Sequence, residues 1–169
     1  MRKLIDSPSP ITGGPLEICV EESSATFRGE VIPFEKTYFH CVESGSEYAT
    51  EEMEAQNLKN LYNAYRRMHN IPLPEELTAM RKSFGIPARA FSLILGLEEN
   101  QYRLYEAGTV PSLSVGKLLA LAKDPRNMKE MLLSARASLS EKEYSKYSKA
   151  IYKAEDKNRA LQVCPATIV

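Results

Sequence analysis

The spacing of apolar residues changes character partway along this chain. Between Leu16 and Val42, β-branched and aromatic residues alternate with polar ones in three runs, LEICV, TFRGEVIPF and TYFHCV. A period of two with turn breaks between runs predicts strands. The preceding Met1 to Pro15 is rich in Pro, Ser and Gly and predicts irregular backbone. Ser44-Gly45-Ser46 predicts a turn. From Thr50 onward the period lengthens to that of a helix. Thr50 reads as a cap with Glu51 and Glu52 in the first turn, and Leu58, Leu61, Tyr62, Tyr65 and Met68 form one stripe. His69-Asn70-Ile71-Pro72 breaks that helix and predicts a short hinge.

The segment from Leu77 to Leu119 carries the most specific pattern. Pro74 suits a first helical position, and Leu77, Met80 and Phe84 then share a face. Gly85 ends this helix. Pro87 opens the next, which turns Phe91, Ile94 and Leu95 inward. Gly96 falls where two helices must turn within a few residues, with Leu97 plugging the turn. Tyr102 and Tyr105 anchor the following helix from its inner side, and Glu106-Ala107-Gly108 closes it before Pro111. This order predicts a helix-turn-helix that offers its second helix to a DNA major groove. Leu113 to Ala122 and Asn127 to Leu133 predict two more helices, parted by Asp124-Pro125. Ser138 to Leu161 predicts a tail helix, with Ser140 and Glu143 as a capping box and Tyr144, Tyr147, Ile151 and Ala154 as its apolar stripe. The stripe predicts docking on the chain's own core, a two-fold subunit contact being the rival. Cys164 to Val169 predicts a frayed end.

The fold class expected is therefore α+β and mostly α. A small antiparallel β unit occupies residues 1–50, a linking helix 51–71, a five-helix helix-turn-helix domain 72–135 and a helical tail 136–169.

Charge and composition adjust this picture. The 22 basic and 22 acidic residues cancel, but unevenly along the chain. Residues 1–71 hold seven Lys and Arg against eleven Asp and Glu, whereas 72–135 hold eight against seven and 136–169 seven against four. Phosphate binding needs local positive charge rather than a positive total, so DNA contact is expected from the later segments. The acidic first third suits a basic protein partner. No apolar run approaches the roughly 20 residues that span a bilayer, and the N-terminus lacks the apolar core of a secretory signal, so a cytoplasmic location with no membrane contact is expected. The 3 cysteines, Cys19, Cys41 and Cys164, are odd in number and far apart, which implies no disulfide framework. Two histidines, no nucleophile motif and no P-loop Lys-Ser or Lys-Thr pair after Gly13-Gly14 argue against an enzyme.

With TFRG at Thr26–Gly29, the YFHC stretch beyond it and the YEAG–P segment at Tyr105–Pro111, the order of parts resembles the MqsA/YgiT-type antitoxins of bacterial toxin–antitoxin pairs. The resemblance covers roughly Ser7 to Leu133. It implies an N-terminal zinc-ribbon-like unit that binds a toxin, commonly an RNA-cleaving enzyme, and a C-terminal Xre- or lambda-repressor-like helix-turn-helix unit that dimerises and represses the operon. In the family two CxxC pairs hold zinc. Here those positions are Ser9 and Thr12, then Cys41 and Ser44, so Cys41 alone survives of the four. Hydroxyls do not supply a structural zinc site, and no zinc or other cofactor is expected. Adjacent strand residues face opposite ways, so Cys19, His40 and Cys41 do not readily rebuild one. Hydrogen bonds from Ser9, Thr12 and Ser44, with packing by Ile11, Ile18, Phe27 and Phe39, are expected to replace the metal. Cys19 and Cys41 are then small semi-buried residues, and His40 and His69 ordinary polar positions.

The same resemblance places a base-reading residue at Asn100. The following family position, usually arginine, is Leu104 here. Read from the residues, Asn100 and Gln101 can pair with adenine and Arg103 with guanine or a phosphate. Arg89, Arg81, Lys82 and Lys117 are the candidate phosphate contacts. Glu98 and Glu99 oppose phosphates but stabilise the helix start through its dipole. The function expected is a DNA-binding transcriptional regulator, an antitoxin and autorepressor acting as a homodimer on double-stranded operator DNA. The alternative is a protein-interaction module that keeps the helix-turn-helix shape without DNA affinity.

Overall fold

The computed structural model describes residues 1–162. It is α+β and mostly helical, with a four-stranded antiparallel sheet followed by seven α-helices among the described residues. The chain divides into two units, Met1–Met68 and the part from His69 onward.

In the first unit the strands β1 (Arg2–Ile5), β2 (Leu16–Phe27), β3 (Glu30–Cys41) and β4 (Glu47–Tyr48) lie in chain order across the sheet. Two features differ from the sequence reading. Residues 2–5 are not irregular but pair with Leu16–Cys19. The prolines at 8 and 10 mark the loop after this strand, and its pairing partner lies too far along the chain for local composition to reveal. TFRGEVIPF is not one strand either: Arg28 and Gly29, at φ 53° and 84°, make a two-residue turn that joins β2 to β3. Positive φ at both central residues matches the twist of a tight hairpin, and glycine takes it without strain. Pro33 sits inside β3 opposite Ser24, at a position whose N–H would point away from β2, so no bond to β2 is lost.

Helix α1 (Glu51–Met68) covers this sheet, starting where Thr50 Oγ1 accepts from Met53 N–H at 3.3 Å. Its buried face is Asn57, Leu61 and Tyr65, with Arg66 beside them. Leu58 and Met68, expected inside, are 47% and 49% exposed. The face is rotated because α1 meets β3 through amides. Asn57 accepts from Thr37 N–H and donates to Thr37 C=O, both at 2.8 Å, and Asn60 donates to Glu35 C=O at 2.9 Å. These side chains stand in for the missing neighbour strand and close an edge that would otherwise invite pairing. Phe27 packs against Tyr62 and Tyr65, each at 5.0 Å between ring centres.

The second unit holds α2 (Pro74–Phe84), α3 (Ala88–Ile94), α4 (Gln101–Glu106), α5 (Leu113–Leu121), α6 (Pro125–Ser134) and α7 (Glu141–Gln162). One apolar cluster joins them, including Leu77, Phe91, Tyr102, Leu119, Met128 and Ile151. Gly116 on α5 is obligatory, since a Cβ there would lie 2.6 Å from Cγ1 of Ile71. Ser140 and Glu143 form the reciprocal cap that starts α7, with Glu143 N–H donating to Ser140 Oγ and Ser140 N–H to the Glu143 carboxylate. Tyr147 and Ile151 then bury into the chain's own cluster. The expected frayed end, Cys164 to Val169, lies outside the described residues.

Candidate functional site

The helix-turn-helix consists of α3, the turn from Leu95 to Asn100, and α4. Gly96 adopts φ 67°, which lets Leu97 N–H reach back to Ser92 C=O at 2.9 Å. Ser92 is fully buried, and its hydroxyl accepts from Tyr102 N–H at 3.1 Å. That bond captures one of the donors left over at the start of α4 and fixes α4 against α3. Tyr102 is fully buried, lies 4.6 Å from the Phe91 ring, and donates its hydroxyl to Leu77 C=O at 2.8 Å. Burial pushes this phenol well above its ordinary pKa, so it stays a neutral donor. Tyr105 is buried on the same side.

With both tyrosines inward, Asn100, Arg103, Leu104 and Ala107 are all exposed. Their spacing of three, four and seven residues places them on one helical face. Asn100 is the residue preceding α4, and its side chain makes no capping bond. Gln101 is half-buried and donates to Tyr105 Oη at 3.0 Å, which turns its amide away from this face.

The four candidate phosphate contacts differ sharply. Arg89, at the start of α3, is exposed but donates twice to Glu99, at 3.0 and 2.6 Å, and stands 4.0 Å from Glu143 of the tail helix. Hydrogen bonding to Glu99 is the main cause that raises its pKa, with a smaller contribution from Glu143. Arg81 is turned inward, bonding Glu106 at 2.8 Å and Ile86 C=O at 3.4 Å. Lys82 and Lys117 are exposed on α2 and α5, with no ion pair to a described residue. Ser92 was not singled out by sequence, and Glu143 was read only as part of the cap of the tail helix. A serine set among four apolar core residues was a readable signal for the first. The second meets Arg89 only through tertiary packing.

A second constellation lies in the first unit. Ser9-Pro10-Ile11-Thr12-Gly13 and Cys41-Val42-Glu43-Ser44-Gly45 form two matched turns. Gly13 N–H bonds Ser9 C=O and Gly45 N–H bonds Cys41 C=O, both at 2.8 Å, with the glycines at φ 77° and 68°. Val42 N–H to Pro15 C=O ties one loop to the other at 3.2 Å. Thr12 Oγ1 lies 3.3 Å from Cys41 Sγ. Hydrogen bonds from Ser44, then Ser9, then Thr12 pull the Cys41 thiol down to about 6. One sulfur and three hydroxyls do not fit zinc, and among the described residues no three His, Cys, Asp or Glu side chains gather where they could hold a metal.

Cys41 and Cys19 are both fully buried rather than semi-buried, because the sheet and the paired loops enclose them. Ile11 is 51% exposed and does not pack as expected, its loop position pointing it to solvent. Strand register puts Cys41 on the face opposite Cys19 and His40. The Nδ1 atom of His40 is buried without a hydrogen-bond partner.

No family model matches this chain, and no curated protein or solved structure matches it either.

Proposed function

We propose that this chain is a DNA-binding transcriptional regulator, the antitoxin and autorepressor of a toxin–antitoxin-like operon. The observation that carries the reading is the exposed face of Asn100, Arg103, Leu104 and Ala107, held outward by buried Tyr102 and Tyr105. An amide and a guanidinium on the outer face of a turn-braced second helix match the chemistry of base edges and phosphates. In this reading the protein is cytoplasmic, has no catalytic role, uses no metal, and binds two operator half-sites as a homodimer. Its acidic first unit would take a basic toxin.

The test is a salt-titrated mobility-shift assay on the DNA upstream of its own gene. Asn100→Ala and Arg103→Ala should each weaken binding by roughly 5- to 100-fold, and affinity should fall with salt by about 0.9 log unit per log unit of salt for each phosphate contacted. Binding that ignores both substitutions would reject the assignment.

One observation favours a second reading, a protein-interaction module without DNA affinity. Arg89 and Arg81 already spend their charge on Glu99 and Glu106. That reading predicts no retention of DNA even at low salt.

A further inference from the structure

We propose that Leu104 is a specificity residue that reads the 5-methyl group of thymine in the major groove. The inference rests on the DNA-binding reading above and adds what sequence that surface prefers.

A half-exposed leucine on its own says little. What singles out Leu104, 49% exposed, is its place: of the four exposed residues on this face, Asn100 and Arg103 are polar, and Leu104 and Ala107 supply carbon. Leu104 contributes nothing to the inner side of α4, which Tyr102 and Tyr105 fill. Its backbone N–H bonds Asn100 C=O at 3.3 Å and its C=O accepts from Thr109 N–H at 3.0 Å, so the side chain is carried on a fixed support.

The chemistry of the groove then selects the base. Guanine, adenine and cytosine present only donors and acceptors there, and an isobutyl group against them strips water without giving a bond in return. Thymine alone presents an apolar group. Asn100, one turn earlier on the same face, has the donor and acceptor that match adenine. Four residues of helix advance about 6 Å, and successive bases are separated by about 3.4 Å. The thymine that Leu104 meets therefore lies within about two base pairs of the adenine that Asn100 reads. The half-site is A·T-containing, and Leu104→Arg converts the position from a thymine to a guanine preference.

The experiment uses the full chain. Duplexes are enriched from a randomised library, and the winning sequence is resynthesised with deoxyuridine replacing thymidine one position at a time, which deletes only the methyl. With the wild-type protein one such replacement near the adenine should weaken binding about 4-fold, the value of one buried methyl. Leu104→Ala should bind thymidine and deoxyuridine duplexes equally, whereas Asn100→Ala should bind more weakly overall but keep the difference. A wild-type protein indifferent to deoxyuridine at every position, or a Leu104→Ala protein that keeps the wild-type ratio, overturns the assignment while leaving DNA binding intact. Failure to enrich any duplex removes the regulator reading itself, and Leu104 with it.

Discussion

The two units solve the same problem with different chemistry. From His69 onward, one continuous apolar cluster draws on every helix and polar groups are few inside it, Ser92 being fully buried. Up to Met68, the sheet is closed by side-chain amides at Thr37 and Glu35, and its paired loops are held by hydroxyls around a sulfur. A helix satisfies its own backbone and needs only an oily face. A small sheet leaves edges and loop ends that must be met by polar groups in the right places. The first unit therefore depends on geometry at a handful of polar contacts, and the second on volume.

Substitutions separate these two modes of support. Phe91→Ala, at a fully buried position, should cost about 3–5 kcal/mol and appear in denaturant melts as loss of the helical unit. A first unit that melted equally would show that the two are not independent. The triple change Ser9→Cys, Thr12→Cys and Ser44→Cys asks whether the loops still converge as metal-binding turns. If they do, zinc at a thousandfold excess over its dissociation constant should stabilise the variant by about 4 kcal/mol and leave the parent unmoved. No zinc-dependent shift in melting would mean that the four positions no longer meet at one point. Asn57→Ala strips both partners from Thr37 and should cost about 2 kcal/mol, visible as loss of protection in hydrogen exchange along β3.

A further effect is in pH. The folded Cys41 thiol, at about 6, sits below its unfolded value. Between the two values the unfolded chain binds a proton that the native one does not, so stability should rise with pH across that window and fall as pH drops through about 6. Cys41→Ser should flatten the slope. An unchanged profile would place the stabilising hydroxyls elsewhere.

The contrast also governs what could be read from sequence. The helices of the second unit were legible because their signals are local: Pro74, Gly85, Pro87 and Gly96 punctuate, and Leu77, Phe91 and Tyr102 repeat at helical spacing. β1 was missed because a four-residue strand is made by its partner, Leu16–Cys19, and not by its own composition. The face of α1 was misjudged because apolar Leu58 and Met68 outvoted Asn57, whose role is fixed only by Thr37 across the fold. At the candidate site, exposure of Asn100 and Arg103 followed from the two tyrosines. The inward turn of Arg81 toward Glu106, 25 residues away, and the approach of Glu143 to Arg89 did not, since both arise from tertiary meeting alone.

The bond from Tyr102 N–H to Ser92 Oγ has an evolutionary corollary. It measures out the loop between the two helices, so inserting a single residue there would either bulge the turn or rotate α4 by roughly 100° and carry the tyrosines out of the core. Letters on that surface, by contrast, can be exchanged one at a time at no expense to the interior. Lineages descending from such a chain would be expected to retarget by point change and to purge insertions and deletions between Leu95 and Tyr102.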